Sequence, residues 1–285
     1  MLLADRFIRK ARTMLPADYH MHTHNSGDSN APMKDMIESS IQRGLKEICF
    51  TEHLDYDYPE FEDLPLGTFD LDYKAYHDEY LLYKEKYKDQ IKINFGVEVG
   101  MQPHIAQKNL DFVKNGDFDF VIASVHLIDK RDPFYGGFWD TDSVENNFKR
   151  YFELTLENIK LFNDFDVLGH LDYLSRYVPE GDTTYSYQRF KEQIDEILLY
   201  LIEHDKGLDF NSKALSYGDN FSTNPCPDAL KRYHELGGRI ITFGADAHNP
   251  EKVGVKFERA VEIAKSCGFT EYYTFDKRKP IAHKL

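Results

Sequence analysis

Histidine, glutamate and aspartate recur in this chain at the carboxyl end of one short apolar run after another. The series begins with a His-x-His pair and continues after later apolar runs: His20, His22, His53, Glu98, His126, His170, Asp246 and His248. In a barrel of parallel strands, the carboxyl ends of the strands meet on one face, where active sites lie. The pattern therefore predicts that side chains far apart in the sequence converge on one polynuclear metal site.

The alternation of short apolar runs with longer helical patterns is typical of βα units around a parallel sheet. The predicted strands lie near residues 17–22, 47–52, 92–98, 119–125, 165–169, 207–211 and 239–245. The predicted helices occupy residues 33–43, 71–88, 104–114, 143–163, 187–205, 227–236 and 251–267. These seven units account for nearly the whole chain, and Tyr272–Phe275 is expected to be an eighth strand or an edge addition.

Composition and charge exclude several classes of protein. The formal net charge is −14, with 49 acidic against 35 basic residues, so the chain should repel a nucleic-acid backbone. No run approaches the ~20 apolar residues that cross a bilayer. Met1–Arg12 lacks the apolar region of a signal peptide and is expected to be mature sequence. The acidic charge also favours a small-molecule partner. The three cysteines form neither a disulfide framework nor a Cys-x-x-Cys motif, which favours a reducing cytoplasm.

The spacing within the series indicates how the side chains could share cations. His20 and His22 stand at i and i+2, so both point to the same face of a strand, and Asp246 and His248 repeat that spacing. Glu98 lies centrally in the strand order, and its two oxygens could bridge two cations. Imidazole and carboxylate together suit zinc, iron or manganese better than magnesium.

Several motifs together carry a resemblance to a known family. They are Asp18–Thr23, Thr51–His53, Gly96–Glu98, Ser124–His126, Gly169–Asp172, Leu208–Asn211, Gly244–His248 and Phe275–Pro280. With these motifs the chain resembles the polymerase and histidinol phosphatase (PHP) family over nearly its full length. The resemblance implies an α/β fold, a distorted (β/α)7 barrel with its metal site at the carboxyl face of the strands. It also implies one PHP-type domain over residues 1–285.

The resemblance further implies three divalent metal ions per chain, most simply zinc, with manganese or iron as alternatives. The first metal would take His20, His22, Glu98 and Asp246. The second would take Glu98, His126 and His170, and the third Asp28, His53 and His248. Some relatives have a histidine where this chain has Asp28, which makes the third site more anionic.

The activity implied by the resemblance is hydrolysis of L-histidinol phosphate to L-histidinol and phosphate, a step of histidine biosynthesis. A hydroxide between the metals at Glu98 is expected to attack phosphorus, and Asp246, His248 or a water to protonate the leaving alkoxide. Three basic residues are candidates for binding the phosphate: Arg176, Lys213 and, third, Arg131. Asp55–Tyr58 could supply acidic and aromatic neighbours for the imidazole and ammonium groups.

Three alternatives remain at this stage. The first is the same chemistry on another small phosphate ester. The second is an amidohydrolase, a class that commonly places a carboxylated lysine where this chain has Glu98. The third is a metal-binding module without catalysis. Four long loops follow predicted strands and are expected to cover the site: residues 54–70, 129–142, 174–186 and 212–225.

Overall fold

The computed structural model describes residue 15, residues 17–135 and residues 137–285, so Met1–Arg12 and Gly136 lie outside the described residues. Its first seven strands are β1 (Ala17–Asp18), β2 (Glu47–Leu54), β3 (Lys92–Gly100), β4 (Phe120–Ser124), β5 (Val167–Leu168), β6 (Gly207–Asn211) and β7 (Ile241–Gly244). They form one sheet in sequential order, and every neighbouring pair is parallel.

Backbone hydrogen bonds between the first and last strand regions close this sheet into a barrel. The amide of Tyr19 donates to the carbonyl of Phe243 at 2.9 Å, and the amide of Asp246 donates to the carbonyl of His20 at 2.7 Å. The strand residues are buried almost throughout, as expected for parallel strands that helices cover on the outside. The predicted (β/α)7 barrel is therefore confirmed.

A helix follows each of the seven strands. The helices are α1 (Met33–Gln42), α2 (Tyr73–Tyr87), α3 (Ala106–Asn115), α4 (Val144–Leu161), α5 (Lys191–Glu203), α6 (Pro227–Glu235) and α7 (Phe257–Ser266). The prediction of a helix from residue 251 is wrong, because Gly254 and Lys256 have φ angles of 59° and 61°, which a right-handed helix does not accommodate. None of the described helices combines the length and apolarity needed to cross a membrane.

The last predicted strand lies outside the barrel sheet. It is β8 (Glu271–Asp276), which pairs in antiparallel register with β9 (Lys279–Lys284) through a turn with positive φ at Lys277 and Arg278. Because β1 and β7 bond to each other, the barrel offers no open edge to a further strand among the described residues. The hairpin instead packs against the barrel, where the amide of Phe275 donates to the Tyr19 hydroxyl at 3.0 Å.

Candidate metal centre

The carboxyl ends of the strands surround a cavity of about 280 Å³. Nine of the predicted metal ligands and phosphate-binding residues line it: Asp28, His53, Glu98, His126, His170, Arg176, Lys213, Asp246 and His248. His20 and His22 lie beside them and are fully buried. The loops that follow β2, β4 and β5 contribute the aromatic part of the lining, as predicted for loops that cover this face.

Glu98, on β3, lies at the centre of the cluster and is fully buried. Its Oε2 lies 3.1 Å from His20 Nε2, 3.4 Å from His22 Nε2 and 3.2 Å from His53 Nδ1. His20 reaches this position because it packs against Gly244, where a Cβ atom would lie 2.4 Å from the His20 Cβ. One carboxylate oxygen therefore faces three imidazole nitrogens.

The other oxygen of Glu98 faces a second pair of histidines. Oε1 lies 3.2 Å from His126 Nε2 and 3.0 Å from His170 Nε2, and it accepts a hydrogen bond from Ser124 Oγ at 2.7 Å. Although burial opposes ionisation, His20, His126 and the other imidazoles hold the pKa of Glu98 well below its usual range. The carboxylate therefore stays charged and lies between two groups of imidazoles, as a bridging ligand would.

The third group is centred on stacked histidine rings. The ring of His22 lies 4.2 Å from that of His53 and 4.3 Å from that of His248, centroid to centroid. Asp28 Oδ2 lies 2.9 Å from His248 Nε2 and 3.7 Å from His53 Nε2. Burial opposes ionisation of Asp28, but these imidazoles hold its pKa below the usual value. The third group therefore combines a charged carboxylate with imidazoles, as a metal site would.

The chemistry of the cluster fits divalent cations. His20 Nε2, His22 Nε2, His53 Nδ1 and Glu98 Oε2 are buried, yet none has a hydrogen-bond partner in the described part of the chain. Leaving a buried polar atom unpaired costs about 1–3 kcal/mol. Cations would use these atoms, and four sets of three such residues have ligand atoms within 4.8 Å of one another.

Two buried carboxylates that were not predicted to contact the metal ligands orient the imidazoles. Asp209 Oδ2 lies 2.8 Å from His20 Nδ1, and Asp55 Oδ1 lies 2.7 Å from His126 Nδ1. Such contacts fix the ring and leave the other nitrogen for a metal. Asp55 also forms one of the candidate ligand sets with His53 and His126. The i, i+2 spacing of His53 and Asp55 could have revealed it, because it repeats the spacing of the His-x-His pair.

Two of the three basic candidates reach the cavity. Arg176, in a 3-10 turn after β5, donates from Nη1 to Asp246 Oδ2 at 2.9 Å, while its buried Nη2 has no partner among the described residues. Lys213, which opens a 3-10 turn after β6, donates to Asp246 Oδ1 at 2.8 Å and lies 3.3 Å from His248 Nδ1. Asp246 itself has a positive φ of 50°, a strained backbone conformation that is typical of functional sites.

The structure does not bring Arg131 to the cavity. The chain turns between Ile128 and Arg131, with positive φ at Asp129 and Lys130. The turn places the guanidinium 5.3 Å from the centre of the Phe138 ring. The next residue, Asp132, lines the cavity instead.

In the Asp55–Tyr58 segment, too, some side chains line the cavity and others lie outside it. Asp55 and Tyr58 line the cavity, but Asp57 pairs with His104 outside it at 3.1 Å. The ring of Tyr56 lies under Lys108 Nζ, 3.4 Å away.

Comparison with known proteins agrees with the geometry. A family model described as the PHP domain matches residues 18–213. The histidinol-phosphatase of Lactococcus lactis is 32% identical over 267 residues, which are 93% of this chain and 96% of that protein. A Clostridium acetobutylicum protein named probable histidinol-phosphatase is 31% identical over 92% of this chain and 97% of its own length. The crystal structure of the L. lactis enzyme with zinc, L-histidinol and phosphate matches with a TM-score of 0.85, 32% identity and coverage of 93% of this chain and 98% of that chain.

Proposed function

The chain belongs to the PHP family, and on that premise we propose that it is a metal-dependent phosphomonoesterase that hydrolyses L-histidinol phosphate to L-histidinol and phosphate. The observation that carries the proposal is the set of buried ligand atoms around Glu98 that have no hydrogen-bond partner among the described residues, together with Nη2 of Arg176, which has none there either. The ligand atoms around Glu98 fit cations, and Nη2 of Arg176 fits a phosphoryl oxygen. The named relatives support the choice of substrate.

We propose three divalent cations, with zinc as the resident metal. The residues that would hold the first are His20, His22, Glu98 and Asp246; the second, Glu98, His126 and His170; and the third, Asp28, His53 and His248. When bound, the cations would supply Lewis-acid chemistry, activating water as the nucleophile and neutralising charge on the phosphoryl oxygens. Glu98, with histidines at both oxygens, would hold the first two sets together.

The chain's own cations would bind and orient the substrate. Arg176 offers Nη2 to a phosphoryl oxygen while Nη1 stays on Asp246, which fixes the plane of the guanidinium. Lys213 donates to the other oxygen of the Asp246 carboxylate, which holds its ammonium group at the cavity. Asp246 and His248 lie beside Lys213 and, with a water, are the candidates for donating a proton to the leaving alkoxide. Burial opposes ionisation of Asp246, but Lys213 and nearby cations hold its pKa well below its usual range, which favours His248 or the water as the donor.

The remaining expectations accompany this proposal. We propose that residues 1–285 form one barrel domain whose partner is a small phosphate ester, with no nucleic-acid or membrane partner. The net charge of −14 supports the absence of a nucleic-acid partner. The three cysteines are free, which supports a cytoplasmic setting.

A substrate panel tests the proposal. Protein loaded with zinc should hydrolyse L-histidinol phosphate with a kcat/KM at least about tenfold above that for phenyl phosphate, a nucleoside monophosphate or a phosphodiester, because a site built for polar groups rejects esters that lack them. The matched control is the same protein after chelation, which should lose activity toward all four. A faster reaction with another ester would contradict the assigned substrate, and activity that resists chelation would contradict the metal-dependent mechanism.

A further inference from the structure

One acidic side chain of the cavity wall lies in a different loop from the basic residues that would bind phosphate. Arg176 and Lys213 follow β5 and β6, whereas Asp132 lies in the loop after β4 and Tyr58 in the loop after β2. The two kinds of charge therefore come from different loops around the barrel mouth. A small molecule in this cavity can therefore meet the cations of two loops and the carboxylate of a third.

Asp132 is held in a fixed orientation by neighbours in its wall. Its Oδ2 accepts a hydrogen bond from the hydroxyl of Tyr58, and its Oδ1 accepts one from the backbone amide of Phe134 at 2.8 Å. Tyr58 is fixed in turn by its ring contact with Phe69, 4.6 Å between centroids. Each carboxylate oxygen has two acceptor positions, so both retain one for a further donor.

The charge of Asp132 has no cationic partner of its own. Asp132 is buried, and within the part of the chain that the structure describes no lysine, arginine or histidine nitrogen forms an ion pair with it. A buried carboxylate is costly unless a cation pairs with it. It faces a cavity whose lining here is aromatic, including Tyr135 and Tyr173, and aromatic faces attract cations.

We propose that Asp132, positioned by Tyr58, is the specificity-determining residue that binds a cationic nitrogen of the substrate, an inference that rests on the proposed function. The carboxylate accepts a hydrogen bond from the protonated amine or imidazole, while the phosphoryl group lies at Arg176 and Lys213. The cavity thereby selects monoesters that carry a positive charge on the alcohol side.

Asp132→Asn tests the assignment, because it removes the charge and keeps the shape. The readout is the ratio of kcat/KM for L-histidinol phosphate to kcat/KM for phenyl phosphate, whose alcohol carries no charge. We expect this ratio to fall about ten- to a hundredfold, as for loss of a charge-assisted hydrogen bond. Product inhibition by L-histidinol should weaken more than inhibition by inorganic phosphate.

Two further variants complete the test. Tyr58→Phe removes only the hydroxyl that orients Asp132, so the same ratio should fall by a smaller factor. Asp129→Asn is the matched control, because Asp129 lies in the same loop but pairs with Arg150 at the surface, 2.5 Å from Nη2. This control should keep the wild-type ratio. Phosphoethanolamine has an amine and no imidazole, so it separates the two nitrogen donors. If Asp132→Asn slows its hydrolysis, Asp132 contacts the amine. If hydrolysis of phosphoethanolamine is unchanged while that of L-histidinol phosphate is slowed, Asp132 contacts the imidazole.

The outcomes separate this inference from the proposed function. If the wild-type protein prefers L-histidinol phosphate and both Asp132→Asn and Tyr58→Phe keep that preference, the inference is overturned and the function stands. An equal loss for the charged and uncharged esters would also overturn it. A wild-type protein with no preference would overturn the proposed substrate and this inference together.

Discussion

The side-chain carbonyl of Asn224 accepts a hydrogen bond from Nε of Arg176 at 2.8 Å. The amide nitrogen of Asn224 donates in turn to Asp172 Oδ1 at 2.6 Å, and all three residues are buried. With Nε on Asn224 and Nη1 on Asp246, the guanidinium plane is set before a substrate arrives. Nη2, which has no partner among the described residues, is therefore held in a fixed direction for the phosphate contact that we propose.

Asn224→Ala should weaken phosphate binding more than it slows turnover. A hydrogen bond to a charged group contributes about 1.5–3 kcal/mol. Because Arg176 keeps its second contact with Asp246, we expect the lower end of this range, which is roughly a tenfold increase in KM and in the inhibition constant of inorganic phosphate. Steady-state kinetics with phosphate as inhibitor check this. Asn220→Ala, an exposed residue of the same loop, is the control and should resemble the wild type. A variant with unchanged phosphate inhibition would show that Asn224 does not orient Arg176.

Arg176 and Arg131 should differ sharply when each is replaced by alanine. Arg176→Ala removes the buried donor that we propose binds the phosphoryl group, so kcat/KM should fall by about a hundredfold or more. Arg131→Ala removes a guanidinium that lies over Phe138 outside the cavity, and kcat/KM should change less than about threefold. Steady-state kinetics on both proteins are the measurement. Equal losses of kcat/KM would contradict the prediction that only Arg176 of these two arginines contacts the substrate.

Glu98→Gln should lower the metal content and the activity together while the fold survives. The wild type, grown with ample zinc, should approach three cations per chain, and the variant should lose those that share Glu98. Turnover should fall by orders of magnitude because the neutral amide cannot hold two cations. Elemental analysis, circular dichroism and activity are measured on one preparation, with exposed Glu60→Gln as control. A folded, active protein with one cation would contradict the three-metal proposal.

Asp166 should make stability depend on pH. Burial raises its pKa from 3.8 to about 6, although Arg278 opposes this by donating from Nε at 2.6 Å. The native state binds this proton more tightly than the unfolded state, so the contribution is present below pH ~4 and is lost as the pH rises through ~6. Relative to Asp166→Asn, the wild type should lose about 2–3 kcal/mol of unfolding free energy between pH 4 and 7. Urea unfolding of both proteins across this pH range is the measurement. If the unfolding free energies of the two proteins changed in parallel with pH, the prediction would be wrong.

The sequence alone determined the barrel and the residues available to its metal centre. His53, Glu98 and His126 end strands of one parallel sheet, and the shared direction of those strands brings distant positions to one face. The i, i+2 spacing of His20 and His22 further placed both rings on one side. Such inferences need only strand direction and alternation, which local apolar patterns reveal.

Only the tertiary structure decided which residues of the loops face the cavity. Arg131 and Asp132 are neighbours in sequence, yet the turn at Asp129 and Lys130 directs the arginine to Phe138 and the acid into the cavity. Outside regular secondary structure no fixed period relates sequence position to side-chain direction.

The partners of buried polar atoms also depended on the assembled barrel. Asp209 meets His20, and Asn224 meets Arg176, across large separations in the chain. The closure of β1 on β7 likewise excluded β8 from the sheet. Strand ends were readable from the sequence because their geometry is local and repetitive, whereas loop orientation and long-range pairing emerge only when distant segments pack together.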